Sequence, residues 1–347
     1  MFKVRLRPSN VEFNVESEET ILSAALKVGL VVPYGCKNGA CGSCKASIVG
    51  GTVDYGDHQK RALSEYEKNN NGLLLCTAKP LSNIEITANL ISATKENEPK
   101  KMPCRVEKIE IVTEDIAIIR LKLPANQSFS YLPGQYVDIL LKDGKRRSYS
   151  MANMPNQENV IELHIKHNPG GLLTDSIFDN KSSESPILKE KNILRLEGPL
   201  GTFYFRENSK EKILFIASGT GIGPIKAIIE NLISENFSRE VILYWGVRSP
   251  NDLYILEIIE NWKNSPLKFT FVPVVSDAKN EDKWKGREGF VHSAIMDDQI
   301  SLKNFSVYAC GSPLMVNAAY DAFTKSRDLD KDHFFSDAFT VASDSQK

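Results

Sequence analysis

Four of the six cysteines in this 347-residue chain lie in one regular pattern. Cys36, Cys41 and Cys44 are spaced C-x4-C-x2-C, and Cys76 follows after a further 31 residues. This spacing is typical of the four thiolate ligands of a plant-type [2Fe–2S] cluster. Glycines within the loop would let backbone N–H groups point at sulfur, which stabilises a reduced cluster. We therefore predict that these four cysteines hold an iron–sulfur cluster.

Two other uses of cysteine fit this chain less well. Zinc sites usually combine two short cysteine pairs, and only one short pair is present here. Six cysteines could also form three disulfides of a secreted protein. However, residues 1–7 alternate without an apolar signal-peptide core, and the chain is long enough to bury a core of its own. We expect a cytoplasmic protein with reduced cysteines.

The charge balance excludes one class of partner. With 43 Lys and Arg against 44 Asp and Glu, the formal net charge is −1. No positive excess is available to displace counterions from phosphates, so we expect no nucleic-acid partner. The longest apolar runs, such as residues 212–217, have the length of strands, so we expect no membrane span.

Hydrophobic periodicity divides the chain into three domains and a linker. Residues 1–91 contain short strands and an amphipathic helix, and we predict a β-grasp ferredoxin-type domain there. The polar residues 92–101 predict a linker. Regular short strands in 102–206 predict an antiparallel β-barrel. Apolar strands alternating with helices in 207–347 predict a doubly wound parallel α/β domain. The fold class is therefore multidomain, combining α+β and α/β parts.

The barrel contains a segment suited to a flavin. A flavin needs an aromatic face, a cation for its phosphate and a hydroxyl near its reactive ring nitrogen. Because alternate strand residues share a face, Tyr149, Arg147 and Ser150 could supply these groups from one segment. Taken alone, the segment could equally be an exposed basic strand. Gly171 and Thr174, at a predicted helix start, would suit a pyrophosphate.

A glycine turn between a buried strand and a helix is suited to a dinucleotide. It allows close backbone approach to a phosphate, although it is not the six-residue Rossmann fingerprint. Its residues are Gly219, Thr220, Gly221, Gly223 and Pro224. Cys310 and Gly311 end another apolar strand, where parallel sheets bind ligands. The alternative for Cys310 is a small core residue.

These motifs carry a family resemblance over essentially the full chain. The sequence resembles the ferredoxin–NADP reductase superfamily, in its three-domain form with an N-terminal plant-type ferredoxin. RRSYS (146–150) is similar to the R-x-[YF]-[ST] flavin motif, GTGIGP (219–224) to the nicotinamide phosphate loop, and CGSP (310–313) to the C-G-x-P motif. A finer resemblance to CDP-6-deoxy-Δ3,4-glucoseen reductase-like proteins is carried by YGCKNGACGSCKA, LYWGVRSPNDLY and HFFSDAF. Reductase components of multicomponent aromatic-ring mono- and dioxygenases share the architecture and nearly the same motifs.

The resemblance implies cofactors and residue roles. The cofactors are FAD, a [2Fe–2S] cluster and NADH, with NADPH less favoured. Ser150 would lie near the flavin N5 and Cys310 beside the nicotinamide at the hydride-transfer position. Asp337 and Phe339 are our candidates for the acidic and aromatic residues that the family places by the flavin. The predicted catalytic residues are therefore Ser150, Cys310 and Asp337.

The choice between NADH and NADPH depends on charge near the ribose. Asp277 follows a predicted strand at the position where NADPH-specific relatives commonly carry a basic residue, and its carboxylate would repel a 2′-phosphate. Arg248 favours the opposite choice, although it also occurs in NADH-using relatives. We predict that both residues border the nucleotide and that NADH is preferred.

The resemblance implies an NADH-dependent iron–sulfur flavoprotein reductase. NADH delivers a hydride and the cluster accepts single electrons, so a flavin between them would split the pair before a partner protein takes each electron. In the finer family that partner is an iron–sulfur dehydratase that deoxygenates a CDP-sugar, and an oxygenase component is the alternative. A binding protein that senses redox state through a degenerate flavin barrel is a competing hypothesis of another class.

Overall fold

The computed structural model describes residues 1–91, 99–156, 158–178, 188–207, 210 and 212–339. The chain divides into two compact units, Met1–Glu98 and Pro99–Lys347. None of the helices in the described residues is long and apolar enough to cross a membrane.

The N-terminal unit is a small mixed sheet with two short helices. Its elements are β1 (Phe2–Arg7), β2 (Glu12–Val15), α1 (Ile21–Lys27), β3 (Lys45–Gly50), β4 (Val53–Asp54), α2 (Glu65–Asn69), β5 (Gly72–Leu74), β6 (Lys79–Pro80) and β7 (Ile84–Thr87). The main sheet has the order β2-β1-β7-β3-β5, in which only β1 and β7 are parallel. β4 and β6 form a separate antiparallel pair. This arrangement confirms the predicted β-grasp fold.

Local sequence signals set the helix ends in this unit. The Thr20 hydroxyl accepts a hydrogen bond from the Ser23 N–H at 3.3 Å and caps α1. Gly29, at φ +76°, allows the chain to leave the helix in the left-handed conformation. Ser64 and Glu67 form the reciprocal capping box of α2. The loop that carries three of the cluster cysteines follows α1 and leads directly into β3, and α2 comes only after β4.

The second unit begins with a six-stranded antiparallel barrel. Its elements are β8 (Lys100–Ile111), β9 (Ile116–Lys122), β10 (Tyr136–Leu140), β11 (Arg146–Ser150), β12 (Val160–Lys166), α3 (Leu172–Ile177) and β13 (Ile193–Leu200). The strand order is β11-β10-β13-β8-β9-β12. An antiparallel bridge between Met151 and Leu163 joins the two edges of this sheet. The predicted barrel is confirmed.

The predicted linker differs from the structure at its C-terminal end. Residues 92–98 lie outside the described residues. Lys100 and Lys101, which we assigned to the linker, instead begin β8 and pair with Gly198 and Glu197 of β13. Both side chains are exposed, so these two positions carry no hydrophobic signal of a strand.

The rest of the second unit is a parallel sheet covered by helices. Its elements are β14 (Lys212–Ser218), α4 (Ile222–Ser234), β15 (Glu240–Val247), α5 (Leu256–Lys263), β16 (Lys268–Val275), β17 (Arg287–Glu288), α6 (Val291–Asp298), β18 (Phe305–Gly311), α7 (Pro313–Ser326) and β19 (Phe334–Ala338). The order is β17-β16-β15-β14-β18-β19, with every neighbouring pair parallel. α4 and α5 share one hydrophobic cluster with the sheet, while α6 and α7 contact each other elsewhere. This confirms the predicted doubly wound α/β part.

Candidate active site

The four predicted cluster ligands form two pairs. Cys36 lies within hydrogen-bonding reach of Cys41, and Cys44 lies within reach of Cys76. Contact with Cys41 lowers the pKa of Cys36 to about 6, and contact with Cys44 lowers the pKa of Cys76. Each pair therefore contains one thiol whose pKa is shifted toward the thiolate form that iron requires. Two irons with two thiolates each fit this arrangement.

Backbone N–H groups surround the sulfurs as the loop sequence predicts. The N–H groups of Ala40 and Cys41 donate to the Cys36 Sγ at 3.4 and 3.3 Å. The loop approaches closely enough to require glycine, because a Cβ on Gly39 would lie 2.7 Å from the Asp57 carbonyl oxygen. The first pair, Cys36 and Cys41, is partly exposed, whereas Cys44 and Cys76 are buried. A cluster held here would present the first pair to solvent.

Two buried hydroxyls beside the cysteines have no hydrogen-bond partner among the described residues. They belong to Ser43, which precedes Cys44, and Thr77, which follows Cys76. A buried hydroxyl without a partner is costly, so a partner outside the polypeptide is expected. The sulfurs of a cluster would provide acceptors at this place. The described residues contain no group of three or more His, Cys, Asp or Glu spaced to hold a single metal ion.

The predicted flavin segment is β11, and its two faces have different surroundings. Arg147 and Tyr149 lie on one face, and Tyr149 packs on the barrel core. Ser148 lies on the other face, where its hydroxyl donates to the buried Asp138 carboxylate at 2.6 Å. Because side chains alternate along a strand, Ser150 belongs with Ser148. Our expectation that one face supplies all three flavin groups is therefore wrong for Ser150.

The structure brings the three predicted catalytic residues together. The Ser150 hydroxyl donates to the Asp337 carboxylate at 3.1 Å, although the two residues are 187 positions apart. Asp337 lies on β19 directly beside Cys310 on β18. Burial, and then the negative charge of Asp337, raises the pKa of Cys310 well above its usual value. Cys310 is therefore a neutral thiol at physiological pH. The roles of all three residues in a reaction stay predictions.

The predicted pyrophosphate residues lie at the start of α3. Gly171 is the N-cap residue, and a Cβ there would lie 2.6 Å from the Thr174 hydroxyl oxygen. The buried Thr174 hydroxyl donates to the Asn168 carbonyl oxygen at 2.8 Å and accepts from the Asn168 N–H at 3.3 Å. This hydroxyl therefore holds the turn before the helix. Contact of either residue with a pyrophosphate stays a prediction.

The predicted phosphate loop is a 3-10 turn, Gly219–Gly221, that leads into α4. The Gly219 carbonyl oxygen accepts a hydrogen bond from the Trp245 indole at 3.0 Å. A Cβ on Gly221 would lie 2.2 Å from the Cys310 carbonyl oxygen. The loop thus runs directly against the end of β18. Thr220 lies in this turn, whereas Gly223 and Pro224, which we assigned to the glycine turn, lie in the first turn of α4.

The end of β18 requires glycine for a similar reason. Gly311 has φ +128°, and a Cβ there would lie 2.4 Å from the Ser218 hydroxyl oxygen. The same hydroxyl accepts a hydrogen bond from the Ser312 N–H at 2.8 Å. The Phe339 N–H donates to the Gly311 carbonyl oxygen at 2.8 Å, which places Phe339 at this edge of the sheet. The phosphate loop, Cys310 and Phe339 therefore converge.

The two residues predicted to border the ribose are neighbours. Arg248 follows β15, Asp277 follows β16, and both are exposed. The Asp277 N–H donates to the Arg248 carbonyl oxygen at 2.9 Å. They lie at the carboxyl edge of the parallel sheet, where such folds bind nucleotides.

A buried polar network, which the sequence analysis missed, joins the barrel to the parallel-sheet part. The Glu162 carboxylate on β12 contacts the Lys226 ammonium, the His164 imidazole and the Arg120 guanidinium at 3.2, 3.1 and 3.2 Å. The other His164 ring nitrogen lies 2.9 Å from the Tyr254 hydroxyl. The sequence signal that could have revealed this network is the presence of Glu162 and His164 among the apolar residues of β12.

Electrostatics fix the charge state of this network. Burial favours a higher pKa for Glu162, but the His164 hydrogen bond and the Lys226 charge outweigh it and lower the pKa to about 2. Burial lowers the pKa of His164. At neutral pH a charged carboxylate therefore accepts hydrogen bonds from a neutral imidazole and an ammonium.

Comparison with known families supports the three-part architecture. Residues 4–81 match the 2Fe-2S iron-sulfur cluster binding domain, 103–205 the oxidoreductase FAD-binding domain, and 215–321 the oxidoreductase NAD-binding domain. The predicted [2Fe–2S], FAD and nicotinamide cofactors are thereby confirmed. Preference for NADH over NADPH stays a prediction.

Three known proteins are similar over nearly the whole chain. The CDP-6-deoxy-L-threo-D-glycero-4-hexulose-3-dehydrase reductase of Yersinia pseudotuberculosis is 40% identical, over 97% of this chain and 98% of its own length. Protein RfbI of Salmonella typhimurium is 36% identical, over 98% and 97%. The crystal structure of the Amycolatopsis cytochrome P450 reductase GcoB has a TM-score of 0.77 at 31% identity, over 99% of this chain and 100% of that chain.

The fold and the converging motifs define an iron–sulfur flavoprotein reductase. The similarity over the full length of the chain also identifies the family within this class. It belongs to the ferredoxin–NADP reductase superfamily, in the family of the CDP-6-deoxyhexulose dehydrase reductases. The predicted resemblance is confirmed at both levels.

Proposed function

We propose that this chain passes electrons from NADH, through FAD and a [2Fe–2S] cluster, to an iron–sulfur dehydratase that deoxygenates a CDP-sugar. The observation that carries this proposal is the 40% identity with the Yersinia dehydrase reductase over 97% of the chain. When bound, the flavin supplies the exchange between two-electron and one-electron chemistry.

The residues of the chain have clear tasks in this scheme. The carboxyl edge of the parallel sheet binds the dinucleotide, with the backbone of the Gly219–Gly221 turn against its phosphates. Tyr149 and Arg147 offer a ring face and a cation on one side of β11. Ser150 is oriented by its hydrogen bond to Asp337.

The exposed side of the cluster site is where an acceptor would approach. Cys36 and Cys41 are partly exposed, while Cys44 and Cys76 are buried. Three acidic residues, Glu16, Glu18 and Glu19, precede α1. Two of them form ion pairs within the unit, because Glu18 pairs with Lys79 and Glu19 pairs with Lys27. We therefore assign the docking face to the surroundings of the first cysteine pair.

The nucleotide preference rests on Asp277. Asp277 is exposed, and its main-chain N–H is bonded to the Arg248 carbonyl oxygen. If these two residues border the ribose, the Asp277 carboxylate would repel a 2′-phosphate. Steady-state assays should give a higher kcat/KM with NADH than with NADPH. In Asp277→Asn the ratio should shift toward NADPH, while Asp321→Asn on the exposed face of α7 should leave it unchanged. A higher kcat/KM with NADPH in the unchanged protein would refute the assignment.

The acceptor is tested by reconstitution. The purified reductase, NADH and a CDP-sugar dehydratase should give continuous sugar deoxygenation. The same reductase with an oxygenase component and its aromatic substrate should give only background turnover. The similarity to the P450 reductase GcoB favours the second acceptor class as the alternative. Turnover coupled to the oxygenase component, with none coupled to the dehydratase, would show that the oxygenase component is the acceptor.

A further inference from the structure

Lys226 is a buried lysine whose three donors are all used. It lies on α4, one turn after the phosphate loop, and is 5% exposed. Its Nζ lies 3.0 Å from the Ala152 carbonyl oxygen, 3.2 Å from the Glu162 carboxylate and 3.1 Å from the Glu230 carboxylate. An ammonium has three N–H donors, so the geometry of this side chain is fully determined.

The segment that Lys226 contacts is the continuation of the flavin strand. Ala152 comes two residues after Ser150. The Ala152 N–H donates to the Glu162 carbonyl oxygen at 2.7 Å, and the Glu162 N–H donates to the Asn153 side-chain oxygen at 2.8 Å. Lys226 therefore binds both the main chain that follows Ser150 and the side chain of the residue that secures it.

The first turn of α4, directly after the phosphate loop, approaches this same segment closely. A Cβ on Gly223 would lie 3.3 Å from the Ala152 Cβ and 3.6 Å from the His164 Cβ. The helix that follows the predicted nicotinamide loop thus packs against the continuation of the predicted flavin strand beside the Lys226 ammonium. Any change in this contact alters the separation between the two cofactor sites.

We propose that Lys226 is a positioning residue that sets the distance between the nicotinamide loop and the flavin segment without touching either cofactor. Hydride transfer requires the reacting atoms to lie about 3–3.5 Å apart, and a misplacement of about 1 Å can cost roughly a hundredfold in rate. Burying an ion pair is a poor way to gain stability, because an apolar side chain of similar volume often serves as well. We therefore infer that the directional bonds of Lys226 to Ala152 and Glu162 serve mainly to fix the position of this segment, and only secondarily to stabilise the fold.

The test is anaerobic stopped-flow reduction of the flavin by NADH. In Lys226→Met, which keeps an unbranched side chain one atom shorter and removes the charge, the limiting rate of flavin reduction should fall about ten- to hundredfold, while the Kd for NADH changes less than threefold. Lys325→Met removes an exposed charge from α7 and should leave both values unchanged. An unchanged limiting rate in Lys226→Met would overturn the proposal.

A second variant separates positioning from folding. Lys226→Met leaves the Glu162 and Glu230 carboxylates without their ammonium, so the melting temperature should also fall. Lys226→Met combined with Glu162→Gln removes the more buried of these two charges and should restore part of the melting temperature while the limiting rate stays low. This double variant is also the test if the single variant does not fold. Recovery of the rate together with the melting temperature would assign Lys226 a purely structural role.

The inference rests on the proposed use of NADH and FAD but not on the acceptor. Failure of the unchanged protein to reduce its flavin with NADH would contradict the proposed function. Normal reduction in both the unchanged protein and Lys226→Met would contradict only the role of Lys226.

Discussion

At the scale of single residues, the Thr77 hydroxyl leads to a prediction about the midpoint potential of the cluster. It is buried directly after a cluster ligand and has no hydrogen-bond partner among the residues that the structure describes. A donor to cluster sulfur stabilises the reduced, more negative state. Thr77→Val keeps the shape and removes the donor, so the midpoint potential of the cluster should fall. The expected change in the reduction equilibrium is roughly three- to tenfold, and tenfold corresponds to about 59 mV for one electron.

The measurement is a redox titration of the cluster followed by electron paramagnetic resonance. Thr77→Ser retains the hydroxyl and should keep the potential close to that of the unchanged protein. Equal potentials in the Val and unchanged proteins would show that the hydroxyl does not donate to the cluster.

Because His164 is buried, we expect the free energy of unfolding to depend on pH. Burial lowers its pKa in the folded protein, whereas the unfolded chain has an ordinary pKa near 6.5. Below that pH the unfolded state binds a proton that the folded state refuses, so the free energy of unfolding should fall on acidification. The limiting slope is about 1.4 kcal/mol per pH unit for one proton.

Urea unfolding at pH 7.5 and 5.5, followed by tryptophan fluorescence, measures this effect. His292 and His333 also have lowered pKa values and contribute with the same sign. The comparison must therefore be made against His164→Gln, which should lose less stability between the two pH values. Equal losses in both proteins would contradict the assignment to His164.

For single residues, the sequence best predicted the sites whose residues lie close together in the chain. The cluster ligands could be proposed because three of them lie within one short loop and their spacing is itself the signal. The bond between Ser150 and Asp337 joins residues 187 positions apart. No pattern in one sequence encodes such a contact, so only the family resemblance suggested Asp337. The Lys226 network was missed for the same reason.

At the scale of elements, the contact between the phosphate loop and β18 gives a prediction. A Cβ on Gly221 would lie 2.2 Å from the Cys310 carbonyl oxygen, which is main chain and cannot swing away. Gly221→Ala should therefore force the loop from the strand, cost about 1–3 kcal/mol of stability and raise the KM for NADH strongly.

Gly144→Ala, in the turn between β10 and β11, is the matched control. Gly144 has φ +82°, but a Cβ there meets no atom within 4 Å. Its cost is limited to the left-handed backbone, roughly 1–2 kcal/mol. The two variants should thus lose comparable stability but differ in KM for NADH, which steady-state kinetics would measure. A similar KM in both would mean that the β18 contact does not shape the nucleotide site.

Strands were predicted well where they are apolar and less well at edges. β14, β15 and β18 are nearly continuous buried runs, which is typical of central parallel strands. β19 is an edge strand with three half-buried residues, so its hydrophobic signal is weak. β8 lies between β13 and β9, but its first two residues are exposed lysines, so its start resembled a linker.

At the scale of the whole molecule, the two units have separate hydrophobic cores. One core consists of residues between Val4 and Ala88, and the clusters of the second unit draw only on residues from Met102 onward. The four cluster cysteines belong to the first unit, and the flavin and nicotinamide motifs belong to the second. A defect in one unit should therefore leave the folding of the other intact.

This separation predicts that the two halves of the electron path can be disconnected by one substitution. Cys76→Ser removes a cluster ligand, so reduction of an iron–sulfur acceptor should fall to background. The second unit keeps its core, so reduction of ferricyanide by NADH should stay within about twofold of the unchanged protein. Cys104→Ala removes a buried cysteine of the second unit instead and should preserve acceptor reduction per folded molecule, because Cys104 lies in the barrel core. Parallel loss of both activities in Cys76→Ser would show that flavin reduction depends on an intact first unit.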